Sequence, residues 1–176
     1  MGDEDYRAQY FSADQYHYPQ DVVQSVWDRY RSGEVKRRPI KVAVLDSGIM
    51  EDHKELRQHI ADSVNFVQGE DTDLGIDTNG HGTRVAGIIA KYAPMVEIVN
   101  VKVTNKNNEG DAKDVASGLR YVLNRPDIDI VNLSFGCPKT SRVKEYERLL
   151  LNMVGNKVII AAACNEGSTT ADTIGN

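Results

Sequence analysis

Asp46 and His81 are of types, and at places in the pattern, that could do chemistry, a carboxylate at a strand end and an imidazole at the mouth of a helix. Asp46 directly follows the apolar run VAVL and precedes Ser47-Gly48, so a carboxylate ends a strand where the chain turns away. His81 lies in NGHGTRVAG, between two glycines at the mouth of a helical pattern. The glycines allow close backbone approach, and the positive end of a helix favours a neutral imidazole able to accept a proton. Each residue also has an ordinary reading, since aspartates end many strands as turn formers and His-Gly pairs sit in many turns. A phosphotransferase would want a second aspartate two residues beyond its nucleophilic one, and that position is Gly48.

The elements that must carry these groups are legible as alternating strands and helices. Strands are expected in Ile40 to Gly48, Val96 to Val103, Ile128 to Gly136 and Lys157 to Gly167. Helices are expected in Asn79 to Ala93 after a turn, in Asp111 to Asn124 and in Val143 to Asn156. Strands this apolar are buried on both faces, which predicts an α/β fold: a three-layer, mostly parallel sheet with helices on both faces. Chemistry in such sheets gathers at the carboxyl ends of the strands, where Asp46, Thr104 with Asn105, Ser134 and Asn165 all fall. Residues 1–39 read as an N-terminal arm, a helix and a basic linker. The helix is capped by Asp21 and stopped by Gly33, and the linker is Lys36 to Arg38 with Pro39. Residues 40–176 read as the α/β domain.

Composition narrows the partners. Lys and Arg total 21 against 26 Asp and Glu, a net charge of −5, which gives no general attraction to a nucleic-acid backbone. The longest apolar run, Val158 to Cys164, is strand-length, so no membrane span is expected. The acidic start MGDEDYRAQYF does not resemble a secretory leader, which predicts a cytoplasmic location. Cys137 and Cys164 lack zinc-site spacing and read as reduced, small apolar packers, with a redox-sensitive pocket as the sharper alternative. No phosphate loop GxxxxGK[ST] occurs, nor a GxGxxG after the first strand, which sets aside a nucleotide-binding α/β protein.

The combination of DSG, then HGT opening a helix, then NLSFG and AAACNEG at strand ends resembles the subtilisin-like serine peptidases, the subtilases, in motif order over Ile40 to Gly167. That resemblance implies a serine-type endopeptidase acting on peptide or unfolded-protein substrates without a cofactor. It implies that Asp46 orients the imidazole, that His81 is the general base and then acid, and that Asn165 donates to the oxyanion. It further implies that Ser134, Phe135 and Gly136 line one side of the specificity pocket, and that Asn108, Glu109 and Gly110 form the other substrate-pairing edge.

The departures are equally specific. No GTSMA-type nucleophile motif occurs in the 176 residues, and Ser47, Ser134 and Ser168 occupy other family positions. The expectation is a subtilase-like domain truncated before the nucleophile helix, inactive alone, with an apolar edge left uncovered. The rival is a catalytically inactive pseudoprotease that binds peptides or regulates. Arg84 stands one turn after His81 where the family commonly has histidine; it could lower the imidazole pKa or pair with an acid. No calcium or other metal site is implied; Gly69 to Asp77 reads as an acidic, solvated loop.

Overall fold

The computed structural model describes residues 20–34, 38–70, 75–136 and 143–162. The chain divides into two compact units, Met1–Arg38 and Pro39–Asn176. The first unit holds α1 (Gln20–Arg31), which carries Arg29 and Arg31 in its last turn, where cations suit the helix dipole. Gly33 follows at a φ of 75°, the left-handed conformation expected of a helix stop. Asp21 lies inside this helix rather than capping it, a one-residue correction to the expected start.

The second unit runs β1 (Lys41–Asp46), β2 (Ile60–Asn65), α2 (His81–Tyr92), β3 (Glu97–Lys102), α3 (Ala112–Leu123), β4 (Ile130–Leu133), α4 (Val143–Met153) and β5 (Val158–Ala161). The five strands form one sheet in the order β2-β3-β1-β4-β5, and every pairing is parallel. β1 therefore sits in the middle, which explains its continuous apolar run.

Alternation along β1 divides its side chains between two cores. Val42 and Val44 pack with Ile49, Leu56, Ile98 and, from α2, Ala86 and Ala90. Ala43 and Leu45 pack with Val99 and Val101 against Leu119 and Val122 of α3 and Leu149 and Met153 of α4. The sheet is thus covered on both faces, the three-layer arrangement read from the sequence. Burying each of these large aliphatic side chains contributes roughly 1.5–3 kcal/mol. The α3 start is capped by Asp111, whose carboxylate accepts from the Lys113 N–H at 2.7 Å, worth about 1 kcal/mol.

Two elements differ from expectation in extent. β2, with the sequence IADSVN, was not predicted, because an edge strand with Asp, Ser and Asn carries no apolar alternation. It forms because β3 offers a free edge, and its register shifts between Ile60 and Asp62. β5 is Val158–Ala161, and the rest of the expected final strand, from residue 163 onward, lies outside the described residues. Among the described residues no helix is long and apolar enough to cross a membrane.

Candidate active site

Asp46 is the last residue of the central strand and is almost fully buried. Its main chain is fixed by β3, since the N–H groups of Val103 and Thr104 both donate to the Asp46 carbonyl, at 2.8 and 3.2 Å. Its carboxylate accepts the Ser47 N–H at 2.7 Å. His81 opens α2 and brings Nδ1 to 2.8 Å from Asp46 Oδ1 and 3.0 Å from Oδ2. A carboxylate can only accept, so Nδ1 carries the proton, and Nε2 is the nitrogen left for proton transfer.

This approach depends on tight backbone geometry. The start of α2 comes so close to the turn after β1 that a Cβ on Gly82 would lie 2.2 Å from the Gly48 carbonyl and 3.0 Å from Asp46 Cβ. Gly48 itself has a φ of 104°, which only glycine adopts without strain. DSG and HGT are therefore two halves of one contact, and their glycines exist to permit it.

Asp77, three residues before Gly80, organises the same junction. Its Oδ1 accepts from the Ser47 hydroxyl at 2.9 Å and from the N–H groups of Asn79 and Gly80 at 2.9 and 2.7 Å. Its Oδ2 accepts from the Thr83 N–H at 3.0 Å and from the Thr83 hydroxyl. Gly80 at the helix entrance has no capping side chain, and the first amides of α2 are met by others: His81 donates to the Asn79 side chain, Gly82 to the Ser47 hydroxyl and Thr83 to this carboxylate. Burial pushes the Asp77 carboxyl up, but the donors from Gly80, Thr83 and Asn79 outweigh it and hold it below the ordinary 3.8.

The imidazole pKa moves in the direction opposite to the one a helix end alone would favour. The hydrogen bond to Asp46 raises its pKa above the ordinary 6.5; burial opposes this, and Arg84 opposes it more weakly. A full negative charge at hydrogen-bond distance outweighs the fractional charge of a helix terminus. Of the two roles left open for Arg84, lowering the imidazole pKa or pairing with an acid, it contributes to the first as a minor cause.

The expected substrate-binding residues fall on either side of Asp46. Asn108, Glu109 and Gly110 follow β3, and Ser134, Phe135 and Gly136 follow β4, the two strands that flank β1. Residues 105–109 close on themselves: the Asn105 N–H donates to the Glu109 carbonyl at 2.9 Å, and the Asn105 side chain accepts from the Asn107 and Glu109 N–H groups. Asn108 takes a φ of 60° and accepts from the Thr104 hydroxyl at 3.0 Å. Glu109 borders a cleft of about 480 Å³ with Val67, Gln68, Glu70 and Asp114 that includes neither Asp46 nor His81. Ser134 accepts from the Asn132 amide at 2.8 Å, Phe135 packs on the α3–α4 core, and Gly136 is exposed.

Asn165, Cys164, Cys137 and Ser168 lie outside the described residues. Ser47 is committed to structure, donating to Asp77 and accepting from the Gly82 N–H at 3.0 Å. The described residues contain no cluster of three or more His, Cys, Asp or Glu able to hold a metal ion.

Sequence reasoning missed four contributors, Glu70, Asp77, Asn100 and Lys102. Glu70 and Asp77 are not simply solvated, because Glu70 pairs with the fully buried Lys102 at 2.7 Å and Asp77 accepts from the Thr83 N–H of α2. Lys102 and Asn100 were missed inside an apolar strand; the signal was a charged and an amide residue two apart in VNVK, which puts both on one face.

The Subtilase family profile matches residues 37–176. The intracellular serine protease of Paenibacillus polymyxa is 34% identical over 155 residues, covering 81% of this chain and 45% of that protein. The major intracellular serine protease of Bacillus subtilis is 37% identical over 146 residues, covering 76% of this chain and 45% of that protein. The crystal structure of a cold adapted subtilisin-like serine proteinase matches with a TM-score of 0.65 at 26% identity, over 76% of this chain and 50% of that one. The chain spans about half the length of the curated relatives it matches.

Proposed function

This chain belongs to the subtilase family, and from that premise we propose that it supplies the aspartate, the histidine and the oxyanion asparagine of a serine-type endopeptidase. The observation that carries the reading is the two-oxygen contact between Asp46 and His81 Nδ1, at 2.8 and 3.0 Å, at the carboxyl edge of the sheet.

His81 Nε2 takes the proton of a serine hydroxyl as that oxygen attacks the scissile carbonyl, then returns it to the leaving amine. Asp46 holds the tautomer and stabilises the imidazolium. Asn165 donates its side-chain amide to the oxygen that becomes negative. Asn108, Glu109 and Gly110 on one side and Ser134, Phe135 and Gly136 on the other bind an extended peptide by its main chain. The substrates are peptides or unfolded protein segments. The serine is outside these 176 residues, which contain no Gly-Thr-Ser motif. The word intracellular in the names of two relatives supports a cytoplasmic place of action.

The test is cleavage of a denatured protein by the product of the full reading frame, compared with its Asp46→Asn and His81→Ala variants. Serine-reagent-sensitive cleavage abolished by His81→Ala supports the reading. Binding of the denatured protein with no cleavage overturns it in favour of a peptide-binding pseudoprotease.

A further inference from the structure

β3 carries its side chains in two sets. Val99 and Val101 enter the core under α3, whereas Ile98, Asn100 and Lys102 face the other side, growing more polar toward the carboxyl end. Asn100 is 1% exposed and Lys102 fully buried. A buried lysine is rare unless each of its donors is met. Here all three are: Nζ lies 2.8 Å from the Ile76 carbonyl, 3.3 Å from the Thr78 hydroxyl and 2.7 Å from Glu70 Oε2. Its Thr78 and Ile76 partners lie on either side of Asp77 in the chain. Two residues earlier on the same face, the Asn100 amide donates to the Gly75 carbonyl at 2.7 Å and to the Ser63 hydroxyl at 2.9 Å.

Two consecutive carbonyls, Gly75 and Ile76, are thus gripped by consecutive same-face side chains of β3. The next residue, Asp77, then binds four amide or hydroxyl groups of residues 79–83, the segment that contains His81, and also the Ser47 hydroxyl. Lys102 is moreover the direct strand neighbour of Asp46. One strand therefore sets the backbone of the carboxylate and the loop that delivers the imidazole.

We propose that Lys102, seconded by Asn100, is a positioning residue for His81: it anchors the loop through Ile76 and Thr78 so that Asp77 fixes the start of α2 at the distance the Asp46 contact requires. This deepens the functional reading above and rests on His81 being the base. An apolar side chain of equal size could fill the space but would leave the Ile76 carbonyl without its donor and release the loop. Arginine's planar fork does not match three acceptors arranged around a single ammonium.

The experiment follows the His81 ring through a pH titration by NMR in the full-reading-frame protein, comparing wild type with the charge-conserving double variant Lys102→Met/Glu70→Gln. The charged groups acting on the ring are Asp46 from β1, Asp77 from the preceding loop and Arg84 from α2. Loosening the Asp46 contact lowers the His81 pKa toward 6.5 and lowers kcat about ten- to a hundredfold with little change in KM. The double variant removes one positive and one negative charge together, so a through-space charge effect alone would leave the His81 pKa unchanged. An unchanged or raised His81 pKa therefore overturns the proposal.

Asn100→Ser, a milder change, produces a smaller shift of the same sign and keeps the test decisive should the double variant not fold. Val99→Ala, on the opposite face, destabilises the protein without moving the titration. If Asp46→Asn itself leaves the His81 titration and the cleavage rate unchanged, the functional reading fails instead of this one.

Discussion

Around the carboxyl ends of β1 and β3, polar side chains are buried: Asp46, Ser47, Thr83, Asn100 and Lys102 are each under a tenth exposed, and each makes at least one hydrogen bond. Along β5 and the end of α4 the opposite holds, with Val158, Ile160, Leu151 and Val154 all more than half exposed. Both regions belong to one parallel sheet. The first holds buried charge in a defined geometry, at the cost of desolvating it. The second is an apolar sheet edge, the kind of surface that another element or another chain covers. The difference teaches that the contact between Asp46 and His81 is assembled by β1, β3, α2 and the loop that precedes α2, without help from the β5 flank.

His81→Ala should break the comparison most severely. Cleavage by the full-reading-frame protein should fall on the order of 10⁶-fold, the scale known for a subtilisin that loses its histidine, while its melting curve changes little. Asp46→Asn should cost about 10⁴-fold in kcat. The sign of its pH effect is fixed by the raised His81 pKa: the base must be neutral, so the wild-type acid limb lies above 6.5, and removing the Asp46 charge shifts that limb downward. The linked stability runs the other way. The ion pair contributes fully below 6.5 and is lost as pH rises through the folded value.

Gly82→Ala should destabilise by about 3 kcal/mol in a denaturant melt, because the added Cβ meets the Gly48 carbonyl rather than a mobile side chain. Asp77→Asn should cost about 2 kcal/mol, since an amide accepts fewer of the five donors than a carboxylate does. Its signature is pH dependence. The depressed Asp77 pKa contributes stability present above 3.8 and lost as pH falls through the lower folded value, so the variant should lose this part of the acid sensitivity. Smallest in folding energy is Ile160→Lys on β5, within about 0.5 kcal/mol, yet it should reduce self-association of the 176-residue chain in analytical ultracentrifugation. Unchanged self-association would show that the apolar flank is not the sticky one.

The strand ends and the helices of the α/β unit were readable because β1, β3 and β4 alternate with amphipathic segments, and DSG and HGT mark their own turns. β2 was not readable. Its IADSVN looks like a loop until β3 supplies a partner edge. Asp77 and Lys102 were hidden for a related reason, since an acidic stretch and a lysine look solvated unless something dry closes over them. The imidazole's pKa direction was misread because a helix end is visible in sequence and a carboxylate 35 residues away is not, except through family resemblance.

By itself the sequence determined the layered fold, through apolar runs too long to be half exposed, whereas the pairing of Asp46 with His81 was implied only by resemblance to a family. The tertiary structure alone decided how that pair is held. Hydrogen bonds are directional and reach about 3 Å, so which buried ammonium meets which carbonyl is set only when β3 lies beside β1 and the loop folds down upon both.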